Sequence, residues 1–489
     1  MRIRPPLPAP ACAAALAIVP LTALSLAACT VTTQGGAAPQ PASPDSVAGM
    51  PVTDGPSGLR PDAPAPEPVV DGGTGGRIDT IAAGALEDLG RFWSSAFPDA
   101  FHRPFTPVSR FVSWDSSAPR TPGPQFCGGP TEGIANAGFC RSHNEIGWDR
   151  GPLLTGLVDE YGELAPVVVL AHEYGHVVQY QTGVRTTQAP TIVLEQQADC
   201  YAGVFLHHVA QGDSEHFTMN TTDGLASALS VLVAIRDSPD PAEFGGAEHG
   251  SAFERITALQ EGFTGDPAAC ARIDAADVDA RRGPMPVDAI GSAGGTPRPV
   301  DDAALSDVAR SFAGMLRAAG TDPRTGATPD PGAPDTTDPT GGCTDSTSPA
   351  TFCPDTGRVA ADLRGLARSA DDGGNGLAGD FTAYSIVASR YALAAAQARG
   401  ASLTGEQAAL RTACMTGAWA AHLAEEPPAG GAALQLRPGD LDEAVAGLVD
   451  GGLIAADVHG DTVPSAFARV DAYRAGFTAG AGACHGRYP

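Results

Sequence analysis

The 489-residue chain contains no lysine, and every basic side chain in it is an arginine. That absence reads as coding bias without functional content. Aromatic residues are also few, at 6%. Positive charge is in short supply: the formal net charge is −26. So acidic a chain lacks the basic face that a nucleic-acid partner requires, which excludes that class of function. An anionic membrane surface would repel it too, so any attachment to a membrane must come from another source. Plain solubility is the economical reading of the acidity. The apolar stretch from Ala13 to Leu26 is too short, and too broken by Pro20, to read as a bilayer span.

What stands at the N-terminus instead has the layout of a secretory signal. Arg2 and Arg4 form a positive head, followed by the apolar stretch. The stretch ends in Leu26-Ala27-Ala28-Cys29, which resembles the lipobox of bacterial lipoproteins. The resemblance implies removal of residues 1–28 and lipidation of Cys29, with the protein held on the extracytoplasmic face of the cell membrane. Residues 29–76 are dense in Pro, Gly, Ala, Ser and Asp without hydrophobic periodicity, and are expected to be a disordered tether.

The remaining length suits two ordinary domains, and an internal repeat says how they are related. Ser251-Ala252-Phe253-Glu254-Arg255 leads to Gly262-Phe263-Thr264 and ends at Cys270; Ser465-Ala466-Phe467-Ala468-Arg469 leads to Gly476-Phe477-Thr478 and ends at Cys484. Ten of the 21 positions from 250 to 270 are identical in 464–484, at an ungapped offset of 214. Cys200 and Cys414 share that offset, and Cys127 and Cys140 fall on Cys343 and Cys353 at nearly the same one. The units are expected at 77–285 and 300–489, with a disordered insert at about 321–342.

Setting aside Cys12 and Cys29, each unit owns four cysteines, as an oxidising compartment would favour. Pairing within units is the economical solution: Cys127–Cys140, Cys200–Cys270, Cys343–Cys353 and Cys414–Cys484.

Chemistry concentrates in the first unit. The apolar run Val167-Val168-Val169-Leu170-Ala171 enters His172-Glu173-Tyr174-Gly175-His176, with Pro166 suited to a first helical turn and Gly183 to the residue just past the end. On a helix, two histidines four apart project from one face and can share one metal ion. Glu173 lies beside the open metal position, where it can take a proton from a bound water. A second helix follows Pro190 and carries Glu195 and Asp199, also four apart. Glu195, 19 residues beyond His176, has room to return as a third ligand. Asp199 can accept the free ring N–H of a ligating histidine. The alternative is a pair of amphipathic helices with solvated charges. It conflicts with the apolar approach to His172, since buried His and Glu side chains demand partners.

HEYGHVVQ followed by LEQQADCYAG resembles the bacterial neutral zinc metallopeptidase family, and the wider HExxH…E arrangement is similar to that of gluzincins. The likeness extends from about 85 to 270 and takes in Cys127-Gly128, Phe139-Cys140 and Glu248-His249-Gly250-Ser251. Val177 and Gln196 depart from the family's usual His and Leu, at positions that are not ligands. The resemblance implies one Zn2+ held by His172, His176 and Glu195, Glu173 as general base, and Asp199 behind a histidine. His249 is either a donor to the tetrahedral oxyanion or a cap of the following helix. Tyr174, His207, His208 and His143 read as structural or surface residues.

The expected fold is α+β: a helical zinc-peptidase core with a small sheet from segments such as Val108–Trp114, then a degenerate second copy, mostly α. In that copy Ser389, Arg390 and Leu393 stand at the His172, Glu173 and His176 positions, and Ala409 and Ala413 at those of Glu195 and Asp199. The expected activity is hydrolysis of a protein or peptide substrate, with another envelope protein as a possible partner of the second unit. Two other readings stay open: an envelope scaffold with a structural zinc, and a zinc hydrolase of non-peptide amides.

Overall fold

The computed structural model describes residues 43–118, 123–183, 189–236, 249–282, 298–320, 332–371, 378–425, 434–437 and 439–489. The signal segment, Cys29 and Glu248 lie outside them. The fold is α+β, and residues 41–489 form one compact unit. No helix among the described residues is long and apolar enough to cross a membrane.

The first half opens with the strands β1 (Ser46–Val47), β2 (Met50–Pro51), β3 (Gly58–Leu59) and β4 (Val70–Asp71), followed by α1 (Arg77–Phe101). Next come β5 (Arg110–Trp114), a small hairpin of β6 (Gln125–Phe126) and β7 (Gly129–Pro130), then β8 (Ala137–Cys140) and β9 (Glu145–Asp149). The helices α2 (Pro152–Tyr161), α3 (Ala165–Thr182) and α4 (Thr191–Ala210) follow. After β10 (Phe217–Thr218) come α5 (Asp223–Ala234), α6 (Ala252–Thr264), α7 (Pro267–Arg272) and α8 (Ala275–Arg282). The four-stranded sheet has the order β4-β5-β9-β8, parallel except at β8–β9. It includes the strand expected near Val108–Trp114.

The second half runs α9 (Asp302–Ala318), β11 (Ala350–Cys353), β12 (Arg358–Ala361), α10 (Leu363–Ser369), α11 (Asp380–Ala398), α12 (Glu406–Ala424), α13 (Asp440–Asp450), α14 (Ala466–Ala479) and α15 (Ala481–Arg487). Its hairpin β11–β12 is met by a parallel bridge from Asp335 to Ala360, within the stretch expected to be a disordered insert.

The tether expectation does not hold for residues 43–76. Their strands are two residues long, too short for any hydrophobic period, and their order comes from docking on the later chain. Leu59 pairs with Phe217, and Val70 with Phe111. Arg60 Nε donates to the carbonyls of Ser214 and Phe217 at 3.1 and 2.9 Å, and the Leu59 N–H donates to Glu163 at 3.0 Å. The first unit therefore begins before residue 77.

All four disulfides join the expected cysteines: Cys127–Cys140, Cys200–Cys270, Cys343–Cys353 and Cys414–Cys484. The second and fourth tie α4 to α7 and α12 to α15 across the same separation of 70 residues. Beside them the same helix crossing occurs twice. A Cβ on Gly203 would stand 2.0 Å from the Leu259 carbonyl, and one on Gly262 1.7 Å from that of Cys200. Gly417 against Tyr473 (1.9 Å) and Gly476 against Cys414 (1.7 Å) repeat the arrangement 214 positions on. Only glycine lets the backbones approach so closely.

The halves meet reciprocally. Phe253 packs on Phe477 with ring centroids 5.3 Å apart, and Phe263 on Phe467 at 5.2 Å. Phe253 and Phe467 correspond under the offset, as do Phe263 and Phe477. Each contact is thus the other's image, the pattern of an isologous interface. Gln260 adds a buried bond from its Nε2 to the Phe467 carbonyl at 2.9 Å.

Candidate metal centre

The two helices that carry the site are buried on nearly every side, so burial, not amphipathicity, holds them. Pro166 lies in the first turn of α3, and Gly183 closes it in the left-handed region at φ 81°. Helix α4 starts after Pro190. Gly175, inside the histidine motif, faces the backbone of α4, where a Cβ would meet the Ala198 carbonyl at 2.6 Å. That close approach brings the His172–His176 face of α3 onto Glu195 of α4.

Ligand atoms of His172, His176 and Glu195 all lie within 4.8 Å of one another, the spacing of a group able to hold a metal ion. His172 Nε2 is 3.2 Å from Glu195 Oε2, and His176 Nε2 is 3.6 Å from Oε1. Glu195 Oε2 is buried and has no hydrogen-bond partner among the described residues, although His172 Nε2 stands close by. An orphaned buried carboxylate oxygen between two imidazole nitrogens is what a bound cation would satisfy. The residues present fit the metal.

Behind the triad the polar groups are ordered. His172 Nδ1 is 2.7 Å from Asp199 Oδ1, which fixes Nε2 as the nitrogen that faces the site. Arg255 grips both oxygens of Asp199, from Nε at 3.0 Å and Nη2 at 2.9 Å, and donates from Nη1 to the Ile235 carbonyl at 2.8 Å. Asp199 and Arg255 are almost wholly buried. His176 Nδ1 lies 3.3 Å from Gln179 Oε1; Gln179 Nε2 donates to Gln197 Oε1 and the Leu194 carbonyl, and Gln197 donates to the Ile273 carbonyl. Both histidines are therefore oriented by partners on their far nitrogens.

Burial opposes charge on all three of His172, Glu195 and Asp199, but their neighbours prevail. Against its burial, Asp199 draws the His172 pKa upward. Glu195 is held well below the usual carboxylate range by His172 and His176, and Asp199 by Arg255 and His172. Both carboxylates stay ionised, the state a cation requires.

Glu173 follows His172 on α3, half-buried and without hydrogen bond or ion pair among the described residues. His249 is more than half exposed, and its Nε2 lies 3.9 Å from Glu195 Oε2. Its ring is 6.4 Å from that of His172. It does not cap α6: Ser251 does, in a reciprocal capping box with Glu254. Tyr174 is buried against Phe105, away from the triad. His207 packs on Phe263, and His208 on Phe92. His143 lies by Cys140, whose sulfur is committed to the disulfide with Cys127.

Sequence reasoning missed Arg255 and the Gln179–Gln197 pair. The available signal for Arg255 was its place in the repeated block, where Arg469 stands at the same offset.

Among the described residues, the corresponding place in the second half carries no ligand set. Arg390 is buried and donates to the carbonyls of Leu453, Ala456 and Asp457 at 3.0, 3.3 and 3.1 Å. Ser389 bonds the Ile386 carbonyl at 2.6 Å, and Leu393, Ala409 and Ala413 are buried apolar residues.

The chain is similar to the uncharacterized protein Rv2575 of Mycobacterium tuberculosis, with 31% identity over 146 residues, 26% of this chain and 50% of that one. It is also similar to the uncharacterized protein YpfJ of Escherichia coli K12, with 33% identity over 129 residues, 22% of this chain and 43% of that one. It thus spans about half the length of the curated relatives it matches. No family model and no solved structure matches the chain.

Proposed function

We propose that the chain is a zinc metallopeptidase of the bacterial neutral zinc metallopeptidase kind, anchored outside the cytoplasm through Cys29. The observation that carries this reading is the buried His172–His176–Glu195 triad with its orphaned Glu195 oxygen, joined by a half-buried Glu173 next in sequence to His172. His172 and His176 would hold one zinc through Nε2 and Glu195 through its carboxylate. Bound there, zinc supplies Lewis acidity toward a water and the scissile carbonyl. Glu173 accepts the proton from the water on its carboxylate and delivers it to the leaving amine nitrogen. Asp199, locked by Arg255, keeps Nδ1 of His172 as the donor and Nε2 as the ligand. His249, on the rim beside Glu195, would donate to the oxyanion. The second half, with every ligand position replaced but the disulfides and glycine crossing kept, is a degenerate, non-catalytic copy of the first.

His172→Ala and His176→Ala are expected to lose stoichiometric zinc, while Glu173→Gln keeps zinc and loses peptidase activity by at least about a hundredfold. Metal analysis and hydrolysis of a casein substrate check this. Activity surviving in Glu173→Gln rejects Glu173 as the base. Cys29→Ala is expected to move the protein from the membrane fraction to the soluble one. A mutant still bound after salt washing rejects the lipid anchor.

A further inference from the structure

We propose that Asp442, in the second half, is a positioning residue for the metal site in the first; the inference rests on the metallopeptidase reading above. Asp442 is buried on α13. Its Oδ1 accepts the Phe253 N–H at 3.1 Å, with the Ala252 N–H alongside, and its Oδ2 lies 3.4 Å from Arg236 Nε.

These contacts fall on both segments that hold Arg255. The N–H groups of Ala252 and Phe253 open α6 and have no acceptor within the helix. Ser251 accepts only from the Glu254 N–H, so the cap of α6 is completed by a carboxylate from the other half, set at the helix's positive end. Arg255 stands on the same first turn. The second segment is Ile235–Arg236: the Ile235 carbonyl takes Arg255 Nη1, and Arg236 pairs with Asp442. Asp442 therefore links the helix that carries the guanidinium to the carbonyl that orients it. From Arg255 the connection runs through Asp199 to His172 Nδ1, every step at hydrogen-bond distance. His249, two residues before the α6 cap, is placed over Glu195 by the same helix end.

The apolar rings at this interface already supply adhesion. A buried carboxylate costs solvation and adds little of it, whereas its geometry fixes the register of a helix end. This gives the second half a part in the chemistry that its lost ligands do not exclude: it completes the support of the first half's site.

The test uses the full chain and compares Asp442→Ala, Asp442→Asn and Phe467→Leu. Phe467 contacts α6 at its far end, through Phe263. Zinc affinity is measured by chelator competition, kcat and KM on casein, and Tm by calorimetry. Asp442→Ala is expected to bind zinc about tenfold more weakly and to lose kcat with little change in KM. Asp442→Asn, which keeps an acceptor oxygen for the helix end, recovers most of both. Phe467→Leu lowers Tm and leaves zinc affinity and kcat as they were. If Asp442→Ala behaves like Phe467→Leu, the residue is only interface and the inference fails. Should Asp442→Ala not fold, Arg236→Gln, which cuts the other arm alone, is read by the same criteria. Zinc retained in His172→Ala overturns the metallopeptidase reading itself. Zinc lost there but held at full strength in Asp442→Ala overturns only the role of Asp442.

Discussion

Arg255 and Arg469 are the same residue of the repeated block, 214 positions apart, in two different settings. In the first half the guanidinium neutralises Asp199. In the second, where Ala413 replaces that aspartate, Arg469 turns to the carbonyls of Leu448, Val449, Val463 and Pro464. Burial lowers its pKa to about 10. A buried arginine must find acceptors, and backbone carbonyls serve once the carboxylate is gone. The difference predicts unequal costs. Arg255→Met leaves Asp199 charged and buried with His172 as its remaining support. It should destabilise the fold by about 3–5 kcal/mol and weaken zinc binding by about 10–100-fold. Denaturant unfolding and chelator competition measure both. Wild-type zinc affinity in Arg255→Met means that Asp199 is oriented without it.

At the scale of elements, the two glycine crossings predict matching sensitivity in the two halves. Gly203→Ala or Gly417→Ala places a methyl group inside a backbone carbonyl, at 2.0 and 1.9 Å, where no side chain can yield. Each should cost about 3 kcal/mol or more, read as a fall in unfolding free energy; a loss under 1 kcal/mol at either site means that the helices can part freely. The first turn of α13 carries a pH dependence. Burial, joined by Asp380 and only partly offset by Arg437, pushes Asp440 up to about 7; burial and Asp440 push Glu443 up to about 8. Folding takes up protons at both groups, so stability falls as pH rises from about 4 to about 8 and is level above. The fall is measured on zinc-loaded protein by denaturant unfolding across this range, with Asp440→Asn flattening the slope. A slope unchanged in that variant assigns the dependence to other groups.

The contrast between what could and could not be read in the chain follows from range. His172 with His176, and Glu195 with Asp199, are spaced by one helical turn, so their faces were legible without tertiary knowledge. The cysteine pairs were legible because the repeat restricts the pairings. Arg255 and Asp442 act across halves or between helices far apart in the chain, and no local period marks such contacts. Residues 43–76 were misread because two-residue strands leave no pattern, and backbone pairing on a later segment supplies their order.

At the scale of the whole molecule, one apolar cluster runs through both halves, from Val47 to Tyr488. The reciprocal phenylalanine pairs belong to it, with α5 and α13 each lying against the other half's α6 or α14. Neither half therefore has a complete surface of its own, although among the described residues only the first carries a His/Glu group that could hold a metal. Two consequences can be measured together. Zinc should bind at one equivalent per chain, because Arg390 fills the corresponding place in the second half. Binding to the folded state alone should then raise the stability of both halves at once, by about 4 kcal/mol at free zinc a thousandfold above Kd. Calorimetry is expected to show a single transition that moves up with zinc and down with chelator, and a chelator-insensitive transition in His172→Ala. Two transitions, of which only one responds to zinc, would show that the halves unfold independently. In that case the second half could not transmit stability to the metal site, and its retention would have to be explained by a partner of its own.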